Sequence, residues 1–296
     1  MPKIQYIEKR FNAATLAVIA QANAIINEYA TDGLRLTLRQ LYYQFVARGL
    51  IPNRQKEYKR VGNIISDARL AGLVDWDVIE DRTRNLAGNT HWRDPGHIIQ
   101  AAHRSFQMDR WAEQPYRVEV WIEKEALAGV IAGICYDLDV PFFACRGYVS
   151  QSEMWAGAMR MRVHRENEQT PVIIHLGDHD PSGIDMTRDI EDRHGTFFAN
   201  TYVKRIALNF DQIEEYSPPP NPAKLSDSRA TAYIREYGMD SWELDVLEPR
   251  VLRDLVRDTV EDYRDPELYQ RALEREGAYR RVLARVEEGW RRFEEK

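Results

Sequence analysis

Three carboxylates and a pair of tyrosines are the side chains here whose types and spacing could do chemistry. Asp178 and Asp180 stand two apart in "GDHDPSGID", after the apolar run "PVIIHL", and Glu123 closes "YRVEVWIE". Read as strand ends, a two-residue period puts Asp178 and Asp180 on one side and His179 on the other. Carboxylates gathered at strand ends repel one another unless a cation joins them. Oxygen donors without thiols favour Mg²⁺ over zinc, so Glu123, Asp178 and Asp180 are the expected metal ligands, for one ion or two. Pro181-Ser182-Gly183 should turn the chain sharply, with Ser182 capping the next helix. A lone D-x-D-P-x-G suits surface acids equally well. The more specific pattern is Glu-Lys after one strand and D-x-D-P-x-G after another, each followed by a helix.

The tyrosines lie in "LRQLYYQFVARG", residues 38–49. At 3.6 residues per turn, Leu38, Leu41, Tyr42, Phe45 and Val46 fall on one stripe, which makes Tyr42 a core residue. Tyr43 is turned about 100° away, onto the open face beside Arg39. On the helical period alone, Tyr43 reads as an exposed phenol resting on that arginine.

The elements that must position these groups are legible in outline. Residues 12–31 read as a helix stopped by Gly33; Thr37 caps the tyrosine helix and Gly49 ends it. "LIPNRQKEYKRVGNIISDARLAG" gives a turn and a helix with the stripe Val61, Ile64, Ile65 and Ala68, closed by Gly72. "LVDWDVIEDRTR" alternates like a short hairpin. Helix, turn, basic helix and hairpin is the order of a winged helix-turn-helix. Residues 85–115 read as a looser stretch whose histidines lack metal-ligand spacing. "YRVEVWIE", "PFFACRGY" and "PVIIHLGDHD" then alternate with three helices, the pattern of a parallel sheet covered on both faces. Past residue 205 come a proline-rich loop, "SPPPNPAKLSDSR", and a tail of helices suited to docking or pairing. The expected fold is therefore α/β, with residues 1–110 as a winged helix-turn-helix, 111–250 as the sheet domain and 251–296 as C-terminal helices.

Residues 1–110 hold 16 Lys/Arg against 11 Asp/Glu, and residues 111–296 hold 25 against 36. A basic front and an acidic body point to an anionic partner at the front. No apolar run is long enough for a membrane span and "MPKIQYIEKRF" lacks a secretory core, so a soluble cytoplasmic protein is expected. Cys135 and Cys145 cannot form a zinc ribbon and read as buried thiols.

"WIEKEAL" and "GDHDPSGID" resemble the toprim domain of DNA topoisomerases, primases and certain nucleases. With "TLRQLYYQ" placed ahead of them, the chain resembles the A subunit of type IIB topoisomerases (topoisomerase VI) and the related meiotic double-strand-break protein. Residues 33–250 carry the likeness, shared in "GLIPNRQKEYKRVGNIISDARLAGLVDWDVIEDRTR", "SPPPNPAKLSDSRA" and "WELDVLEP" with short stand-alone bacterial and phage relatives. The resemblance implies that Tyr43 is the nucleophile, that Glu123 does acid–base work and that Asp178 and Asp180 hold Mg²⁺. Arg39 would then hold the scissile phosphate, with Lys124 as a further phosphate contact and Lys56, Lys59 and Arg60 gripping the DNA backbone. It also implies a nucleoid-associated homodimer, in which one subunit's tyrosine works with the other's metal and leaves a 5′-phosphotyrosyl break in each strand. No Gly-rich ATP-binding signature is evident, so ATP-driven strand passage would need a separate ATPase subunit. The competing readings are a toprim nuclease hydrolysing DNA with activated water, and a noncatalytic DNA-binding regulator. A primase is disfavoured, since two cysteines cannot build its zinc module.

Overall fold

The structure is a computed structural model that describes residues 3, 5–76, 78–79 and 91–294. Three helices open the chain: α1 (Ala13–Thr31), α2 (Leu38–Ala47) and α3 (Gln55–Leu70). Their ends follow from local chemistry. Thr37 and Gln40 cap α2 reciprocally, Thr37 Oγ1 accepting from Gln40 N at 3.2 Å and Gln40 Oε1 from Thr37 N at 2.9 Å. Gly33, Gly49 and Gly72 follow the helices at φ of +71°, +66° and +72°, a region open to glycine at little cost.

The expected hairpin after α3 is not seen as such. Its described residues form no strand, only an isolated bridge from Leu36 to Ile79, and residues 80–84 lie outside the described residues. The stretch expected to be loose contains a helix, α4 (Pro95–Ser105), capped by Asp94 Oδ1 accepting from His97 N at 2.8 Å. None of its residues is fully buried. It docks along the C-terminal helix α11 (Pro266–Glu294), where His103 Nδ1 lies 2.7 Å from Glu287.

The centre is a four-stranded parallel sheet of β1 (Tyr116–Ile122), β2 (Phe142–Ala144), β3 (Thr170–Leu176) and β4 (Tyr202–Ala207), in the order β2-β1-β3-β4. Helices α5 (Glu125–Asp137), α6 (Gln151–Glu166) and α7 (Pro181–Thr196) connect the strands. The two-residue period sorts the faces. Val118, Val120 and Ile122 of β1 join Val172, Ile174 and Leu176 of β3 in a core with α5 and with α10 (Pro249–Asp262). Trp121 and Ile173 point the other way, onto Met154, Met161 and Met186 of α6 and α7. The first core runs on without a break into Ile25, Leu41, Phe45 and Val61 of the N-terminal helices. Strand β4, absent from the sequence reading, lies at the sheet edge, and its Lys204 and Arg205 interrupt the apolar pattern that marks a buried parallel strand.

Between β4 and α10 lie α8 (Phe210–Tyr216), α9 (Ala230–Tyr237) and a small ladder pairing β5 (Asn221–Pro222) with β6 (Asp240–Ser241). A single 3₁₀ turn, Leu244–Val246, follows and packs against α2. Among the described residues no helix is long and apolar enough to cross a membrane. Cys135 and Cys145 are buried free thiols, each pushed up to about 12 by burial, which leaves them unreactive.

Several polar groups on the α6/α7 side of the sheet are paired, although His175 Nε2 and His194 Nε2 have no hydrogen-bond partner among the described residues. Glu119 is buried and takes Arg160 in a fork at 2.8 and 2.9 Å, with Trp121 Nε1 donating at 2.9 Å. His175 Nδ1 meets Thr187 Oγ1 at 2.8 Å, and His194 Nδ1 meets Thr201 Oγ1 at 2.9 Å. Burial holds both rings neutral, depressing His175 to about 3, with Arg205 adding to the effect, and His194 to about 4. The unfolded chain protonates below about pH 6.5, so this contribution is complete above that pH and is lost as pH falls towards the folded values. Between about pH 7 and pH 5, His175→Gln should lose less stability than wild type by up to roughly 2 kcal/mol. Parallel urea titrations of the two proteins would show it; identical pH slopes would contradict a neutral buried His175.

Candidate active site

Strands β1 and β3 are parallel neighbours, with Ile122 level with Leu176, so the residues that follow each strand emerge at the same sheet edge. The chain leaves β1 towards β2 on one side, while β3 lies on the other. This is the point in an open α/β sheet where ligands bind.

The three predicted carboxylates gather here. Glu123 Oε2 accepts the Asp178 N–H at 2.8 Å. Asp178 Oδ1 accepts the Leu244 N–H at 2.7 Å and lies 3.2 Å from Lys124 Nζ. Asp180 caps α7, its Oδ1 accepting from Gly183 N at 2.7 Å and from Ser182 Oγ at 2.8 Å. Two expectations are corrected. The strand ends at Leu176, so strand alternation does not set the directions of Asp178 and Asp180, and Asp180 rather than Ser182 caps the helix. A Cβ at Gly183 would stand 2.2 Å from the Asp178 carbonyl oxygen, which is why the turn "DPSG" requires glycine. His179 faces away from the acids, its Nδ1 2.7 Å from Tyr233 Oη.

Arg205, which the sequence reading missed, holds this loop. Its buried guanidinium donates to the carbonyls of Gly177 at 2.9 Å, Asp178 at 2.7 Å, Gly183 at 2.9 Å and Leu208 at 3.1 Å, and to Thr187 Oγ1 at 3.1 Å. Burial lowers it to about 10, against the pull of Glu123, Asp178 and Asp180. The available signal was an arginine within the apolar-ended run "YVKRIAL".

Burial raises Asp178 to about 7 despite Lys124, and Glu123 adds to the rise. Glu123 is raised by burial and by Asp180, against the hydrogen bond from Asp178. Among the described residues no three His, Cys, Asp or Glu side chains converge in the geometry of a metal site. The donor chemistry does fit a hard divalent cation. Glu123 Oε1, Asp178 Oδ2 and Asp180 Oδ2 accept no hydrogen bond among the described residues, and oxygen donors suit Mg²⁺.

Tyr42 behaves as expected. It is buried, and its hydroxyl donates to Asn53 Oδ1 at 3.0 Å and accepts from Arg54 N at 2.8 Å. Tyr43 does not sit on an open face: it is 6 % exposed. The 3₁₀ turn covers that side of α2, and Tyr43 Oη donates to Glu243 Oε2 at 3.1 Å. Burial and Glu243 together push its hydroxyl up to about 12, against the hydrogen bond from Arg39. A helical period reports which face meets the nearest core, and it is silent about a second element folding back from 200 residues on.

Glu243 and Asp245 are the other residues the sequence reading missed. Arg39 pairs with Glu243 and, at 2.8 Å, with Asp245. Lys124 Nζ lies 3.1 Å from Glu243 and also pairs with Asp245. Burial works against the Lys124 charge, but Asp245, Asp178 and Glu243 outweigh it and hold the ammonium above its ordinary range. The signal was "WELDVLEP", two acids flanking Leu244 as Asp178 and Asp180 flank His179. Lys56, Lys59 and Arg60 lie exposed on α3, Arg60 Nε donating to Glu57 at 2.8 Å, and form no ion pair with the carboxylate cluster.

Compared with protein-family models, curated proteins and solved structures, the chain finds no match.

Proposed function

We propose that the protein is a Mg²⁺-dependent DNA-cleaving transesterase of the topoisomerase VI A type. One observation supports this most: Tyr43, Arg39 and Lys124 all bond one carboxylate oxygen, Glu243 Oε2, and Lys124 continues to Asp178. A tyrosine nucleophile, two phosphate-binding cations and the acidic set are thereby joined within one chain. On this reading residues 1–110 act as a winged helix-turn-helix and the parallel sheet as a toprim domain.

Tyr43 Oη would attack the scissile phosphorus once released from Glu243. The Oη–P bond forms, the P–O3′ bond breaks, the phenolic proton is lost to solvent, and Glu123 protonates the departing 3′ oxygen. The product is a 5′-phosphotyrosyl end and a free 3′ hydroxyl. Arg39 would grip the non-bridging phosphate oxygens, a planar fork being suited to them, and Lys124 would add a point charge. Held by Glu123, Asp178 and Asp180, Mg²⁺ would supply neutralising charge beside that phosphate. Lys56, Lys59 and Arg60 would hold the duplex backbone without reading sequence. The resemblance implies a homodimer in which each tyrosine works with the partner's metal, whereas the contacts above join Tyr43 to the acids of its own chain. Two such sites would serve the two strands, and strand passage would need a separate ATPase subunit.

A specific observation favours a second reading. Tyr43 is buried and its hydroxyl is held by a carboxylate, as suits a hydrolytic toprim nuclease in which that side chain is structural. Both readings require divalent-dependent cutting. Incubation with supercoiled plasmid should give linear product with Mg²⁺, none with a chelator, and none from Asp178→Asn in either condition. Cutting by Asp178→Asn at the wild-type rate would remove the acidic set from the chemistry, and binding without cutting by any variant would leave a noncatalytic DNA-binding protein.

A further inference from the structure

Glu243 occupies the place that a bound phosphate would take. Its Oε2 is met by the Arg39 guanidinium, by Lys124 Nζ at 3.1 Å and by the Tyr43 hydroxyl at 3.1 Å. A fork, a point charge and a hydroxyl around one anionic oxygen is the donor set that phosphodiester recognition uses. Arg39 and Tyr43 sit one turn apart on capped α2, and Lys124 immediately precedes helix α5. Glu243 precedes only a single 3₁₀ turn. It stands between β6 and the 3₁₀ turn, and its side chain is 32 % exposed, whereas Asp245, two residues on, is 1 % exposed and paired with the same two cations. The two acids therefore differ in kind: Asp245 is a fixed internal counter-ion, and Glu243 is a solvent-reachable anion on an irregular segment.

We propose that Glu243 is an internal stand-in for the DNA phosphate, a latch that keeps Arg39, Lys124 and Tyr43 occupied until a phosphodiester displaces it. The ligand being DNA rests on the reading given above; the latch itself rests on the contacts. While the carboxylate is seated, the phenol is masked and both cations are neutralised. Displacement would free the phenol and vacate one anionic position at both cations, which stay held in place by Asp245. A binding site available only part of the time weakens apparent affinity by that fraction, so removing the competing charge should strengthen binding.

The obvious competing role for Glu243 is general base to Tyr43, and the two roles predict opposite signs. Glu243→Gln keeps the shape of the side chain and removes its charge. In a chelator, fluorescence anisotropy with a short labelled duplex should show binding tightened about fivefold or more over wild type, the lower end of ordinary coupling between sites. With Mg²⁺, plasmid cutting should be faster. The gain should vanish in the Arg39→Gln background, since with no guanidinium there is little to unmask. Unchanged affinity, or a gain that survives Arg39→Gln as any lost negative charge would give, overturns the latch. Tighter binding with slower cutting overturns it too and makes Glu243 the base. Failure of the functional reading looks different: the affinity gain and its dependence on Arg39 persist while no variant cuts DNA.

Discussion

Glu123→Gln should leave a protein that is at least as stable as wild type yet cuts DNA at least about a hundredfold more slowly, the usual order for losing one electrostatic group from an active site. The stability half follows from the acids' mutual cost. Glu123 and Asp178 are both raised by burial, and the charge of Glu123 raises Asp178 further. Neutralising Glu123 relieves that repulsion, and the amide oxygen of glutamine can still accept the Asp178 N–H. A residue kept for the fold would behave in the opposite way. Thermal melts should therefore show a Tm equal to or above wild type in a chelator. Added Mg²⁺ should raise the wild-type Tm and leave that of Glu123→Gln almost unmoved, since a ligand stabilises only a state that binds it. A variant that melts early and cuts normally would show Glu123 to be structural.

Arg205→Met should have the largest effect on the fold. Among the described residues the Arg205 guanidinium ties Gly177, Asp178, Gly183 and Leu208 together through four carbonyls, and Thr187 Oγ1 is its fifth acceptor. Methionine fills much of the volume but takes the guanidinium donors away from those carbonyls, of which Gly177 keeps the Leu208 N–H at 2.7 Å, and removes a cation that faces Glu123, Asp178 and Asp180. Breaking a buried charged network of this kind costs about 3–5 kcal/mol, or roughly 10 °C in Tm for a chain of this size. Chemical denaturation would measure it. DNA cutting should fall with the loop, because the backbone of Asp178 is held by Arg205. A loss below about 1 kcal/mol would mean that the loop is held by other means.

The contrast between these two residues shows what could be read in advance. Glu123 was legible because it directly follows an apolar alternating run and stands two residues before a helix. Thr37 and Gly49 were legible because caps are local chemistry. Strands β1, β2 and β3 stood out by their apolar runs, whereas β4 did not, because Lys204 and Arg205 sit within it. Arg205 itself went unnoticed because its five acceptors are assembled by the fold. Tyr42 was placed in the core by its helical period, since α2 packs on its neighbours there. Tyr43 was placed on an open face by the same period, and the error came from "WELDVLEP", whose return onto α2 has no local signature. Asp180 was read as continuing the strand, when the proline after it had already made it a helix cap.

The burial of Tyr43 also sharpens the central question, because a nucleophile held by Glu243 must be released before it can act. The most direct measurement is to cut supercoiled plasmid with Mg²⁺, stop with strong detergent and ask whether protein stays on the 5′ ends, running wild type beside Tyr43→Phe. Protein covalently attached in wild type and absent in Tyr43→Phe, with cutting lost as well, is the predicted result. Free 5′ phosphates with undiminished cutting by Tyr43→Phe would contradict transesterification and assign the protein to hydrolysis.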